Sequence, residues 1–242
     1  MTDTRVAIVT GGGRGIGRAI SLALARAGWD VVIGYHSDAD SADAVAADVT
    51  ALGRRALCCA VDIVDEDSVA AFFAAAETFG PVTGVVNNAG AATAVGRLED
   101  NDLAAIHRDL DVDLFGVIVC CKFAQAALMR QGGGSIVSIS SAAATLGSPS
   151  RYVHYAAAKA GVDALTLGLS KELAPAIRVN AVSPGTIWTD FHQEPDRPAQ
   201  VAPTVPLGRA GTVDDIAGAV VWLMSEDASY VTGAVLRVAG GL

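Results

Sequence analysis

Along the whole chain, short β-branched apolar runs alternate with longer alanine-rich stretches of helical character. That alternation is the mark of repeated strand–helix–strand units and a parallel sheet. It predicts strands at 6–10, 30–34, 56–61, 82–86, 135–140, 178–183 and 234–238. Helices are predicted between them at 15–27, 39–52, 66–79, 103–129, 153–174 and 213–224, with 103–129 read as two helices meeting near Leu110. Pro175 should end the helix before it, since its ring removes a donor and crowds the preceding turn. Thr212 suits an N-cap, with Asp214 and Asp215 at the positive end of the helix that follows. Residues 185–211 hold Pro195, Pro198, Pro203 and Pro206 with little periodicity, so 186–211 is expected to be a lid or binding loop. The expected fold class is α/β: residues 1–242 as a single domain, a doubly wound parallel sheet of about seven strands flanked by helices.

Composition adds constraints. Of 242 residues, 52% are hydrophobic and 18% charged, as a large core with both sheet faces covered requires. The net charge of −9 (17 basic against 26 acidic residues) argues against nucleic acid or an anionic membrane as partner, so a bound anion must be held locally. The apolar run before the first glycines is too short for a secretory signal, and no uninterrupted apolar stretch reaches the ~18 residues of a membrane span. The cysteines fall in two adjacent pairs, Cys58–Cys59 and Cys120–Cys121, which neighbouring side-chain directions make poor chelators. Buried free thiols fit better and suggest a reducing cytoplasm. His107, His154 and His192 show no ligand spacing, and no metal is expected.

The candidate chemistry begins with Tyr155 and Lys159, four residues apart on one helix face. A cation about 4 Å from a phenol interacts by roughly 4 kcal/mol at an effective dielectric of ~20, enough to bring a tyrosine of pKa ~10 into working range. Alone, this spacing is far more often a solvated helix face. It follows, however, the turn Gly11-Gly12-Gly13-Arg14-Gly15-Ile16-Gly17 between the first strand and helix, where glycines let backbone approach a pyrophosphate at a helix N-terminus. Asn87-Asn88-Ala89-Gly90 ends the fourth strand, at the edge where parallel sheets bind ligands. Ser140 and Ser141 end the fifth, and Ser183-Pro184-Gly185-Thr186-Ile187-Trp188-Thr189 forms a rigid turn after the sixth.

This ordered set resembles the short-chain dehydrogenase/reductase family over essentially the whole chain, including a final YVTGAVLRVAGG. The resemblance implies a Rossmann-like domain that passes a hydride between NAD(P) and a small carbonyl or secondary alcohol. Candidates include a ketoreductase of the oxoacyl-carrier-protein type and a sugar or aliphatic alcohol dehydrogenase. By position, Tyr155 would be the general acid/base, Lys159 would lower its pKa and hold the nicotinamide ribose, and Ser141 would polarise the substrate oxygen. Gly11, Arg14, Gly15, Ile16, Gly17, His36, Asp62, Ile63, Asn88, Ala89, Gly90, Pro184, Gly185, Ile187 and Thr189 would complete the dinucleotide site, with Asp62 facing the adenine and Ile187 and Thr189 at the carboxamide. The family's dimer contact would fall on the helix at 156–169 and the long helix before it, giving a homodimer or homotetramer.

One position departs from the family: Asp113 stands where an asparagine usually holds a proton-relay water. An aspartate can accept that bond but cannot donate, so a working relay with altered pH dependence is expected. Cofactor choice turns on the end of the second strand, where Tyr35 replaces the acidic residue that selects NAD. With Arg14, His36 and Ser37 nearby, NADP is expected over NAD, with Asp38 as the competing carboxylate. Substrate specificity should lie in 91–96, 142–151 and 188–206, with Ala142, Ala143, Ala144, Leu146 and Trp188 giving a partly apolar pocket. The alternative is a dinucleotide-binding regulatory or scaffolding protein with little catalysis.

Overall fold

A computed structural model describes residues 5–191 and 193–242; His192 lies outside the described residues. The strands are β1 (Val6–Val9), β2 (Asp30–Tyr35), β3 (Ala56–Ala60), β4 (Val82–Asn87), β5 (Gly134–Ile139), β6 (Ile177–Pro184) and β7 (Val235–Val238). They form one parallel sheet in the order β3-β2-β1-β4-β5-β6-β7. The fold is therefore the expected Rossmann-like α/β sheet. The helices are α1 (Gly15–Arg26), α2 (Ala39–Ala51), α3 (Glu66–Phe79), α4 (Leu103–Leu110), α5 (Gly116–Arg130), α6 (Ala143–Leu146), α7 (Val153–Glu172), α8 (Arg197–Val201) and α9 (Val213–Met224). The short helices α6 and α8 lie in segments whose sequence carries too little periodicity to predict them.

Strand side chains alternate between two cores. Val6 and Ile8 enter the layer under α3, α5 and α7, while Ala7 and Val9 enter the layer under α1, α2 and α9. Cys59 and Cys58 divide the same way, as adjacent strand residues must. Both are half-buried rather than buried, unlike Cys120 and Cys121. Burial pushes the thiols of Cys58, Cys120 and Cys121 up to about 12. The break near Leu110 is present as a single π turn, Asp111–Phe115, between α4 and α5. By length and composition the run Leu103–Arg130 could cross a membrane, but half of its most apolar window is buried in this fold.

Thr212 caps α9 in a full capping box: its hydroxyl accepts from Asp215 N, and Asp215 accepts from Thr212 N. In the sheet order β1 sits between β2 and β4, so connections leaving β1 and β4 part to opposite faces. The crevice at such a switch point is where this sheet type takes ligands.

Candidate active site

The turn after β1 forms one wall of that crevice. Gly11 and Gly15 have φ of 62° and 52°, a region costly for any side chain but glycine. At Gly17 a Cβ would run into the Gly11 carbonyl oxygen and the Asn88 side-chain amide. Arg14, the N-cap of α1, makes no side-chain capping bond, which leaves the first amides of a twelve-residue helix to an anion. Thr10 and Asn88 lock this turn to the end of β4. Asn88 N and Ala89 N donate to Thr10 Oγ1 at 3.0 and 3.1 Å, and Asn88 Nδ2 donates to the carbonyls of Thr10 and Gly11 at 2.9 and 3.0 Å. Thr10 was not singled out from sequence, although its place at the strand end was the available signal.

Tyr155, Lys159 and Asp113 are all buried on the same side of the crevice, Asp113 completely. Lys159 Nζ lies 3.1 Å from Asp113 Oδ1 and donates to the Ile139 carbonyl at 3.1 Å. The ammonium sits 5.5 Å from the centre of the Tyr155 ring. Burial first, and the Asp113 carboxylate second, hold the Tyr155 phenol above its usual pKa; a hydrogen bond from Ser141 pulls the other way. The expected lowering of the phenol's pKa by Lys159 is opposed here by burial and by the Asp113 carboxylate, which pairs with the ammonium. Burial likewise raises the Asp113 carboxyl, with Lys159 offsetting part of the rise. Asp113 Oδ2 is buried without a hydrogen-bond partner among the described residues. Asp113 is the buried residue of the π turn, and such turns recur at functional sites.

At the far end of the crevice, Arg14, Tyr35, His36, Ser37, Asp38 and Ser41 line the wall. Asp38 caps α2, accepting from Ser41 N at 3.0 Å and from Ser41 Oγ at 2.7 Å. Those two bonds, with a smaller contribution from the Arg14 charge, hold its carboxyl below the usual range. Asp62 Oδ2 is 3.9 Å from His36 Nε2.

The residues predicted for catalysis and for dinucleotide binding, from Gly11 to Thr189, all line one cavity of about 820 Å³. Ala142, Ala143 and Leu146 line it as expected, but Ala144 and Trp188 do not, and Trp188 is half exposed. Tyr152 and Phe191 take the aromatic places instead, with ring centres 5.1 and 6.1 Å from that of Tyr155. Among the described residues no group of three or more His, Cys, Asp or Glu could hold a metal ion.

A family model described as enoyl-(acyl carrier protein) reductase matches residues 11–242. The chain is 43% identical to the uncharacterized oxidoreductase YgfF of Escherichia coli (strain K12) over 98% of this chain and 99% of that one. It is 42% identical to the cis-4-hydroxycyclohexanecarboxylate dehydrogenase of Sinomonas cyclohexanicum, covering 98% and 96% of the two chains. A short-chain type dehydrogenase/reductase from Mycobacterium marinum superposes with a TM-score of 0.91 at 34% identity, covering 99% and 95%.

Proposed function

The chain belongs to the short-chain dehydrogenase/reductase family, and on that premise we propose that it is an NADP(H)-dependent oxidoreductase of small carbonyls and secondary alcohols. The observation that carries this reading is the meeting of Ser141, Tyr155 and Lys159 in one cavity with the glycine turn. The turn held in shape by close packing at Gly17 against Gly11 and Asn88, and the open N-terminus of α1, fit a dinucleotide pyrophosphate. When bound, the dinucleotide supplies or accepts the hydride. In reduction Tyr155 gives its proton to the carbonyl oxygen, and in oxidation it takes the hydroxyl proton. Ser141 donates to the same oxygen and stabilises its developing charge. Lys159 holds the ribose hydroxyls and, with Asp113, forms the inner end of the proton path.

Preference for NADP is supported by Tyr35 in place of an acid at the end of β2 and by Arg14, which lines the cavity beside Asp38. Asp38 is held by Ser41 as the N-cap of α2, which commits it to that helix end. Segment 186–211 is read as the substrate lid, which brings its own Phe191 toward Tyr155. Exposed Phe115, Ile118 and Leu167, on the π turn, α5 and α7, support a homodimer or homotetramer. A screen of ketones and secondary alcohols with NADPH, NADH and their oxidised forms, read at the nicotinamide absorbance, tests the proposal. Turnover with a kcat/KM preference for NADP is expected. Cofactor binding without any turnover would favour a regulatory protein, and a tenfold preference for NAD would overturn the cofactor assignment.

A further inference from the structure

A second buried acid–base pair lies one residue from Tyr155 and takes no part in the chemistry above. Asp109 on α4 is 1% exposed and His154 on α7 is 7% exposed, with His154 Nε2 3.2 Å from Asp109 Oδ2. The same carboxylate accepts from Thr93 N at 2.9 Å on each oxygen, from Thr93 Oγ1 at 2.7 Å and from Ala94 N at 3.0 Å. Burial pushes the Asp109 carboxyl up, but these donors more than offset it and leave it below the usual range. Ionised, it can only accept, so His154 Nε2 carries the donated proton. A buried carboxylate serving this many donors is stable only while they stay in place.

Asp109 and Asp113 are four residues apart on one helical run, and Asp113 accepts from Ala91 N at 3.4 Å. Two acids thus grip successive parts of the 91–94 loop, whose Ala91 lines the cavity. Further on, Gly96 N donates to the Arg151 carbonyl at 2.6 Å. From the opposite side Gln193, within the 186–211 segment, donates through Nε2 to the carbonyls of Ala92 and Thr93 at 3.3 and 3.4 Å.

We propose that Asp109 is a positioning residue for the substrate half of the site: with Thr93, Ala94 and His154 it fixes the 91–94 loop against the helix carrying Tyr155, presenting the carbonyls onto which Gln193 latches segment 186–211. This inference rests on the oxidoreductase reading. The dinucleotide side shares none of these bonds, being fixed by Thr10 and Asn88.

The test is steady-state kinetics at saturating NADPH, using the ketone that the wild type turns over best, with NADPH titrations and Tm alongside. Asp109→Asn places an amide donor among donors, and it should raise KM for the ketone about tenfold with a smaller loss of kcat. The NADPH Kd should stay within about twofold. Gln193→Ala should raise KM less, and in the Asp109→Asn background it should cost nothing further, since the latch is already lost. His154→Gln, which keeps a donor facing Asp109, should stay close to wild type where His154→Ala does not. An unchanged KM, additive effects of Asp109→Asn and Gln193→Ala, or equal losses of ketone and NADPH affinity would overturn the proposal. If Asp109→Asn does not fold, the same cycle with Thr93→Val and Gln193→Ala decides it by the same criteria. A wild type that turns over no carbonyl or alcohol overturns both readings, whereas an active enzyme indifferent to these changes overturns only this one.

Discussion

Around the glycine turn the contacts that fix the cavity wall are neutral hydrogen bonds, from Asn88 and Ala89 to Thr10 and Gly11. Around Tyr155 they are buried and charged: Asp113 against Lys159, and Asp109 against His154 and two loop amides. The two materials respond differently to damage. A neutral hydrogen bond contributes about 1 kcal/mol net, whereas removing one partner of a buried charge pair costs about 3–5 kcal/mol. On the proposed reading, the dinucleotide half is a rigid shape set by backbone, and the substrate half an electrostatic lattice that one substitution can upset. A rigid shape suits a ligand common to many enzymes, and a charged lattice can tune one reaction.

The contrast is broken most severely by filling the rigid half. Gly17→Ala pushes a methyl into Gly11 and Asn88. Overpacking of about 1–3 kcal/mol there should weaken NADPH binding by about tenfold to a hundredfold in a fluorescence titration. An unchanged Kd would mean that this turn is not where the dinucleotide lies.

A gentler change sharpens the charged half. Asp113 raises the Tyr155 pKa, so Asp113→Asn should lower it. Reduction needs the neutral phenol and oxidation the phenolate. The alkaline fall of the ketone reduction rate and the alkaline rise of alcohol oxidation should therefore both move to lower pH. Turnover at the new optimum should stay within about tenfold of wild type, below the ~10²–10⁴-fold that general acid–base catalysis contributes. A pH–rate profile unmoved by the substitution would remove Asp113 from the proton path.

The smallest effect lies outside both halves. Thr212→Ala breaks the α9 capping box and should cost about 1 kcal/mol in denaturant unfolding, with kinetics unaltered. A kinetic change there would show that α9 communicates with the site.

The two halves were also unequally legible from sequence. Glycines at Gly11, Gly15 and Gly17 announce a backbone shape by themselves, and apolar periodicity located the seven strands and the long helices. The order of the motifs then assembled one cavity wall after another. What stayed hidden depends on which helices face each other, information that no local window contains. His154 stands beside Tyr155 without ligand spacing, and nothing in its local window singles out Asp109, yet the fold sets them 3.2 Å apart. The balancing of Lys159 by Asp113 was half visible: the substitution could be read, but the depth of burial that raises both acid groups could not. Trp188 misled because its apolar surface suggested a pocket wall, while the chain turns it to the outside.

The most direct test of the central claim is Tyr155→Phe, which removes one hydroxyl from a buried ring and leaves the dinucleotide wall untouched. The account predicts that turnover of the best ketone is abolished while the NADPH Kd and the melting temperature remain those of the wild type. Retained turnover in a folded Tyr155→Phe enzyme would contradict it.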